Sequence, residues 1–163
     1  MSSVLYIILC MLLVFAFLQD WRYRAIHWLV FPLIAIDSTL IFIQSGQHWK
    51  IIGLNLTFVS TVVLLLFVYV SLRTGKLTNI FKAHLGLGDV LFFISVIPLF
   101  GQVNYILFFG SGMILSALVH FIIQLKFKSN TIPLAGYLAG YILILGAFTG
   151  ITNQDIFYNP LLP

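Results

Sequence analysis

The sequence predicts an all-α integral membrane protein, and three observations lead to that fold class. Of the 163 residues, 61% are hydrophobic and only 7% are charged, and the mean hydropathy is +1.12. A soluble domain has about 25% charged residues. Long uncharged segments recur along the chain, and most lysines and arginines lie between them. We therefore expect one polytopic domain, residues 1–163, that is embedded in a lipid bilayer.

Six apolar segments are predicted to be transmembrane helices, since a spanning helix needs roughly 20 mostly apolar residues. They cover about residues 3–20, 26–44, 51–72, 88–100, 104–125 and 131–150. The 36 uncharged residues between Asp89 and Lys126 are too many for one upright helix. Pro98 and the polar turn at 101–104 divide that stretch into the fourth and fifth helices.

The positions of the basic residues favour six spans with both termini on the outer side. Cytoplasmic loops are enriched in lysine and arginine. With this topology seven of the eight basic residues face the cytoplasm, namely Arg22, Arg24, Arg73, Lys76, Lys82, Lys126 and Lys128. Only Lys50 lies outside, whereas a single helix over 89–125 would give a split of five to three. Because these residues are scattered over short loops, they indicate a membrane surface and argue against nucleic acid as a partner.

Two aspartates are the candidate catalytic residues. The chain has four acidic residues and no glutamate, and the predicted topology puts Asp20 and Asp89 at the cytoplasmic ends of their helices. Carboxylates near hydrocarbon are costly and usually functional. Two adjacent carboxyl groups tend to share a proton, so one can activate water while the other polarises a carbonyl group. The alternative makes Asp89 a helix N-cap and pairs Asp20 locally with Arg24.

Gly86 and Gly88 precede and adjoin the second aspartate in the run Gly86-Leu87-Gly88-Asp89. Glycine lets another chain approach the backbone closely. We therefore expect this run to lie where a peptide substrate approaches the helix start, although a plain loop-to-helix turn would have the same pattern.

No metal or other cofactor is predicted. The single cysteine, Cys10, excludes an intramolecular disulfide and a zinc site built from cysteines. His27 and His84 flank the two aspartates, and a site of two histidines and two aspartates is the alternative. The chain lacks a short metal-ligand spacing such as His-Glu-x-x-His, so this alternative is the weaker one.

Three segments resemble the motifs of the type IV prepilin peptidases. The run Asp20-Trp21-Arg22-Tyr23-Arg24-Ala25-Ile26 is similar to the first aspartate motif of that family, and Gly86-Leu87-Gly88-Asp89-Val90 is similar to the second. Thr131-Ile132-Pro133-Leu134-Ala135-Gly136 resembles the segment that opens the family's last helix. The resemblance extends over essentially the whole chain and follows the family's order of motifs.

This resemblance implies an aspartyl endopeptidase with Asp20 and Asp89 as the catalytic pair. Such enzymes remove short, basic leader peptides from prepilin-like or pseudopilin-like membrane proteins, at the cytoplasmic face of the inner membrane. The chain differs from many members in having His27-Trp28 in place of Pro-Asn, and Leu91 in place of Lys. It also has no cysteine-bearing N-methyltransferase region, and so resembles the short Tad-type and archaeal-type peptidases.

Other functions remain open at this point. A small proton- or cation-handling transporter could use Asp20, Asp37 and Asp89, although no inverted repeat is seen. A presenilin-like protease also uses a Gly-x-Gly-Asp motif, but there the first aspartate lies deeper in its helix. A catalytically inactive relative is the last alternative.

Three further features are predicted to be structural. Asp37, deep in the second helix, is expected to hydrogen-bond a neighbouring helix through Asn55, Ser60 or Thr61. His120 is expected to form an interhelical hydrogen bond. Small residues recur with helical spacing near the start of the last helix, and we expect this face to serve ordinary helix packing; they are Ala135, Gly136, Ala139 and Gly140.

Overall fold

A computed structural model describes residues 2–74, 86–126, 133–152 and 157–158. Over these residues the chain is all-helical and has no strand, which confirms the all-α part of the predicted class. The helices are α1 (Ser2–Tyr23), α2 (Val30–Gln44), α3 (Lys50–Thr74), α4 (Leu87–Ser95), α5 (Gln102–Lys126) and α6 (Leu134–Thr152). A 3₁₀-helix, Ile97–Leu99, follows α4. Lys76, Lys82, His84, Lys128, Thr131 and Ile132 lie outside the described residues.

Three of these helices are long and apolar enough to cross a membrane: Ser3–Tyr23, Lys50–Thr74 and Gln102–Gln124. The other apolar helices in the described ranges, Val30–Gln44, Leu87–Leu99 and Leu134–Thr149, are shorter. Many large apolar side chains on the long helices are exposed. Soluble proteins rarely expose such continuous apolar surface, so these helices are typical of a membrane protein.

The turn between α1 and α2 explains why α2 begins later than predicted. Helix α1 continues past Asp20 to Tyr23, and it ends where Arg24 adopts a positive φ of 55°. The Arg24 N–H donates to the Asp20 carbonyl oxygen at 2.9 Å, and the His27 N–H donates to Gln19 Oε1 at 3.0 Å. The chain is therefore non-helical from Arg24 to the residues just before Val30.

The predicted helix at 88–100 is two elements, because Pro98 lies within it. Proline has no backbone N–H and cannot continue an α-helix. Helix α4 ends at Ser95, and the chain then tightens into the 3₁₀-helix. Asn55 Nδ2 donates hydrogen bonds to the carbonyl oxygens of Ile97 and Phe100, at 3.4 and 3.0 Å. Backbone that leaves α-helical geometry at membrane depth is tolerated where protein surrounds it. This segment is fully buried.

Consecutive helices alternate in direction. At one end of the bundle the Phe42 ring contacts the rings of Trp49 and Tyr158, at centroid distances of 5.3 and 6.4 Å. The Tyr158 hydroxyl donates to the Pro98 carbonyl at 2.9 Å, and the Gly101 N–H donates to the Phe157 carbonyl at 2.7 Å. The end of α2, the start of α3, the connection from α4 to α5 and the segment after α6 therefore lie together. The starts of α4 and α6 lie at the other end.

Replacing Tyr105 by Phe should destabilise the bundle by about 1–3 kcal/mol, because a buried acceptor loses its donor. The Tyr105 ring is fully buried and its hydroxyl donates to the Phe93 carbonyl at 2.9 Å. Thermal unfolding in detergent would measure the change. Tyr141→Phe is the matched control, since that hydroxyl contacts the exposed Ser111 hydroxyl. Equal stability of the two variants would contradict the assignment.

Candidate active site

The two aspartates that the sequence singled out meet at the start of α6. Asp20 Oδ2 accepts a hydrogen bond from the Gly136 N–H at 2.6 Å. Asp89 Oδ1 accepts one from the Ala135 N–H at 3.0 Å. The two donors are consecutive residues, whose Cα atoms are about 3.8 Å apart. Carboxyl groups from α1 and α4 are thus neighbours, although they are far apart in sequence.

The first turn of α6 supplies these donors because its N–H groups have no acceptor within the helix. The Tyr137 N–H donates to the Pro133 carbonyl at 3.1 Å, so α6 begins its hydrogen bonding at Pro133. Pro133 has no side-chain oxygen and cannot cap the helix itself. The cap is supplied instead by Asp20 and Asp89, whose negative charge also suits the positive end of the helix dipole.

Asp20 lies one turn before the end of α1, and it is only 6% exposed. Arg24 is close enough to act on its carboxyl group electrostatically, as the local alternative predicted. The hydrogen bond of that carboxyl group nevertheless goes to Gly136 on another helix. The Trp21 ring lies edge-on to the Tyr137 ring at 6.3 Å and joins α1 to α6 beside the site.

Asp89 is the third residue of α4, and Gly86 is the N-cap. The interpretation of Asp89 as the N-cap is therefore wrong. Its carboxyl group accepts a hydrogen bond from the Gly86 backbone while its own N–H donates to the Gly86 carbonyl at 3.1 Å, an arrangement like a capping box. The Asp20 carboxyl group also acts on Asp89 electrostatically. Both the start of α4 and the start of α6 thus orient Asp89.

The two glycines of the second motif have different surroundings. A Cβ atom at Gly86 would lie 2.9 Å from Asp89 Oδ2, too close unless the carboxyl group moved. A Cβ atom at Gly88 would lie 3.6 Å from Phe31 Cζ, an ordinary contact with α2. Gly86 therefore leaves room for the Asp89 carboxyl group. A role of either glycine in substrate approach stays a prediction.

Gly136 is the site residue whose role the sequence did not reveal. A Cβ atom there would lie 3.0 Å from both Asp20 Cβ and Asp20 Oδ2. At Gly140, one turn further along α6, the nearest atom would be Phe17 Cδ2 at 3.5 Å. The small-residue face therefore does pack helices, but at Gly136 it also admits a carboxyl group. The sequence signal for this role was a glycine in the first turn of a helix that has no capping side chain.

Asp37 lies apart from the pair. It is 5% exposed, and its Oδ2 has no hydrogen-bond partner. The predicted bond to Asn55, Ser60 or Thr61 is not formed, since Asn55 Nδ2 and the Thr61 hydroxyl donate to backbone carbonyls. Asp37 acts electrostatically on Cys10, which is about 15 Å from Asp20 along α1 at 1.5 Å per residue.

The sequence predicted an interhelical hydrogen bond for His120 and, as the weaker alternative, a metal site that includes His27. His120 Nδ1 is buried without a hydrogen-bond partner, so that nitrogen does not form the predicted interhelical bond. His27 Nδ1 accepts a hydrogen bond from the Leu29 N–H at 3.4 Å. Within the described ranges, no group of three or more His, Cys, Asp or Glu side chains could hold a metal ion. The alternative site with His27 and His84 falls partly outside those ranges.

No family model, curated protein or solved structure matches this chain. Its function must therefore be inferred from the site. The site consists of two neighbouring carboxyl groups at one end of an apolar bundle, each oriented by a backbone donor. Such a pair can act as a general base and a general acid on a water molecule.

A disulfide should form between positions 20 and 136, because the Cβ atoms there would be 3.0 Å apart and only a slight separation of the two helices would bring them to the separation of about 3.5–4.5 Å found in a disulfide. The chain would have Asp20→Cys and Gly136→Cys in a Cys10→Ser background, and mild oxidation followed by mass spectrometry would detect the bond. Asp20→Cys with Gly140→Cys is the control, about 6 Å further along α6. Efficient cross-linking of the control pair alone would contradict the contact.

Proposed function

We propose that this protein is a membrane-embedded aspartyl endopeptidase that removes short basic leader peptides from prepilin-like or pseudopilin-like subunits. The observation that carries the proposal is the convergence of Asp20 and Asp89 on consecutive backbone donors of α6. These are the same two residues that the resemblance to the type IV prepilin peptidases singles out. A helix-end role for each aspartate alone would not require them to meet.

The chemistry follows from the closeness of the two carboxyl groups. Two like charges so near each other disfavour double ionisation, so the pair holds one proton between them. The ionised group takes a proton from a water molecule as that water attacks the peptide carbonyl carbon. The protonated group donates a hydrogen bond to the carbonyl oxygen, and a proton is then delivered to the leaving amine nitrogen. No cofactor is needed for these steps.

We place six spans in the membrane, with both termini outside and the site toward the cytoplasm. The alternation of helix direction supports this arrangement, since Arg22 and Arg24 lie at the site end while Lys50 opens α3 at the opposite end. The segment Leu87–Leu99 is short for a span, at about 20 Å of rise. Its irregular last part, Ile97–Leu99, is buried within the bundle, which lets the segment cross without exposing non-helical backbone to lipid.

A cytoplasmic site at the inner membrane suits a substrate whose cleavage point adjoins an apolar helix. Asp20 follows the long apolar stretch of α1, so the pair lies near the membrane surface. The residues that differ from the family's common pattern, His27, Trp28 and Leu91, have exposed side chains. Because none of them holds the carboxyl pair, we expect these differences to alter substrate preference more than the catalytic geometry.

Proton or cation handling is the second candidate function, and one observation favours it. Asp37 is buried in the bundle with an unpartnered carboxyl oxygen, and Cys10 is within reach of its charge. A carboxyl group without a partner in an apolar environment is a typical proton acceptor of transport proteins. This candidate requires Asp37, whereas the peptidase does not.

Isosteric substitution separates the two candidates. Asp20→Asn and Asp89→Asn retain an oxygen for the helix donors but cannot exchange the catalytic proton, so leader removal should fall on the order of 10²-fold or more. Asp37→Asn is the matched control and should leave appreciable processing. Co-expression with candidate prepilin-like substrates, followed by the mass shift of the mature subunit, measures this.

Cleavage by both single variants at the rate of the unaltered chain would rule out the carboxyl pair. Absence of leader removal by the unaltered chain, together with proton uptake in lipid vesicles that Asp37→Asn abolishes and Asp20→Asn retains, would favour proton handling instead.

A further inference from the structure

We propose that Gly136 is a positioning residue of the peptidase, and that its missing side chain lets its N–H hold the Asp20 carboxyl group beside that of Asp89. This inference rests on the proposed function, and assigns a role to a residue that the chemistry itself does not require. The contact joins α1 to α6 and lies in the buried part of the site.

The steric evidence is specific to position 136. A Cβ atom there would be 3.0 Å from Asp20 Cβ, 3.0 Å from Asp20 Oδ2 and 3.4 Å from Asp20 Cγ. The first of these distances joins an atom that the backbone of α1 holds in place, so rotation of the Asp20 side chain alone would not relieve that contact. Any side chain at 136 would have to separate α1 from α6 or expel the carboxyl group.

The pairing evidence concerns the spacing of the two donors. Ala135 and Gly136 follow each other in the first turn of α6, and each holds one carboxyl group. Helical geometry fixes the separation and direction of consecutive N–H groups. The first turn of α6 therefore sets how far apart the Asp20 and Asp89 carboxyl groups lie. Displacing only Asp20 would leave Asp89 on Ala135 and break the pair.

Neighbouring contacts keep α6 from moving to accommodate a larger residue. Phe17 of α1 lies against Gly140, and a Cβ atom at Gly112 of α5 would lie 2.6 Å from Leu138 Cδ2. Helix α6 is thus packed closely on two sides near the site. A side chain at 136 is expected to displace the Asp20 carboxyl group, since α6 has little room to retreat.

The test compares Gly136→Ala with Gly140→Ala in steady-state cleavage of a prepilin-like peptide that the unaltered chain processes. Gly136→Ala should lower kcat about 100-fold with KM changed less than twofold, since small misplacement of a catalytic group costs about that much. Gly140→Ala, on the same face one turn away, should stay within twofold of the unaltered chain. A kcat for Gly136→Ala equal to that of Gly140→Ala would overturn the proposal.

A stability measurement tests the same contact without relying on activity. Gly136→Ala should lower the Tm in detergent, and the loss should be smaller in an Asp20→Ala background, where the carboxyl group is gone. Gly140→Ala should change the Tm by the same amount in both backgrounds. Equal losses for Gly136→Ala in the two backgrounds would show that residue 136 does not act through Asp20.

The two proposals fail in different ways. If the unaltered chain cleaves no leader peptide, the proposed function fails, while the Tm comparison still tests the contact between Gly136 and Asp20. If the unaltered chain cleaves and Gly136→Ala cleaves equally well, only the positioning role fails.

Discussion

The N–H groups in the first turn of α6 have no hydrogen-bond acceptor within their own helix. The rest of the site depends on which groups of the bundle accept these hydrogen bonds. Asp20 and Asp89 provide the acceptors, one from α1 and one from α4. Buried amide donors without partners are destabilising, as are carboxylates taken out of water. Here the carboxyl groups accept the hydrogen bonds of the amides, and this pairing lowers the cost of burying both. The same contacts that complete α6 therefore bring together two carboxyl groups that could do chemistry.

The sequence was sufficient to predict the class of fold and the end of the bundle where the two aspartates lie. Uncharged segments and the basic residues between them determine helix direction, and direction determines which helix ends meet. The acceptors and donors that join the helices could not be predicted, because the bond from Gly136 to Asp20 connects residues with no shared local pattern. The exact division of the stretch around Pro98 depended similarly on tertiary packing, with Asn55 holding the carbonyls there.

Asp37 shows the limit of arguments from residue type. Its depth in the second apolar segment predicted a hydrogen bond to α3, yet Asn55 of that helix donates to carbonyls of the segment after α4. The Asp37 Oδ2 atom stays buried and unpartnered, and Asp37 is well separated from the pair along the bundle. Proximity to a second acid and to backbone donors distinguishes Asp20 and Asp89 from it. A buried carboxyl group alone does not identify a catalytic residue.

The most direct test of the central claim is a solid-state NMR measurement on the unaltered protein in lipid bilayers. The carboxyl carbons of aspartate would be labelled with ¹³C and the amide nitrogens of alanine, or in a second sample glycine, with ¹⁵N. The 3.0 Å hydrogen bond from Ala135 to Asp89 predicts a coupling between aspartate and alanine that disappears with Asp89→Asn. The 2.6 Å hydrogen bond from Gly136 to Asp20 predicts a coupling between aspartate and glycine that weakens with Asp20→Asn. Absence of the alanine coupling, or its persistence in Asp89→Asn, would contradict the meeting of the two carboxyl groups at α6.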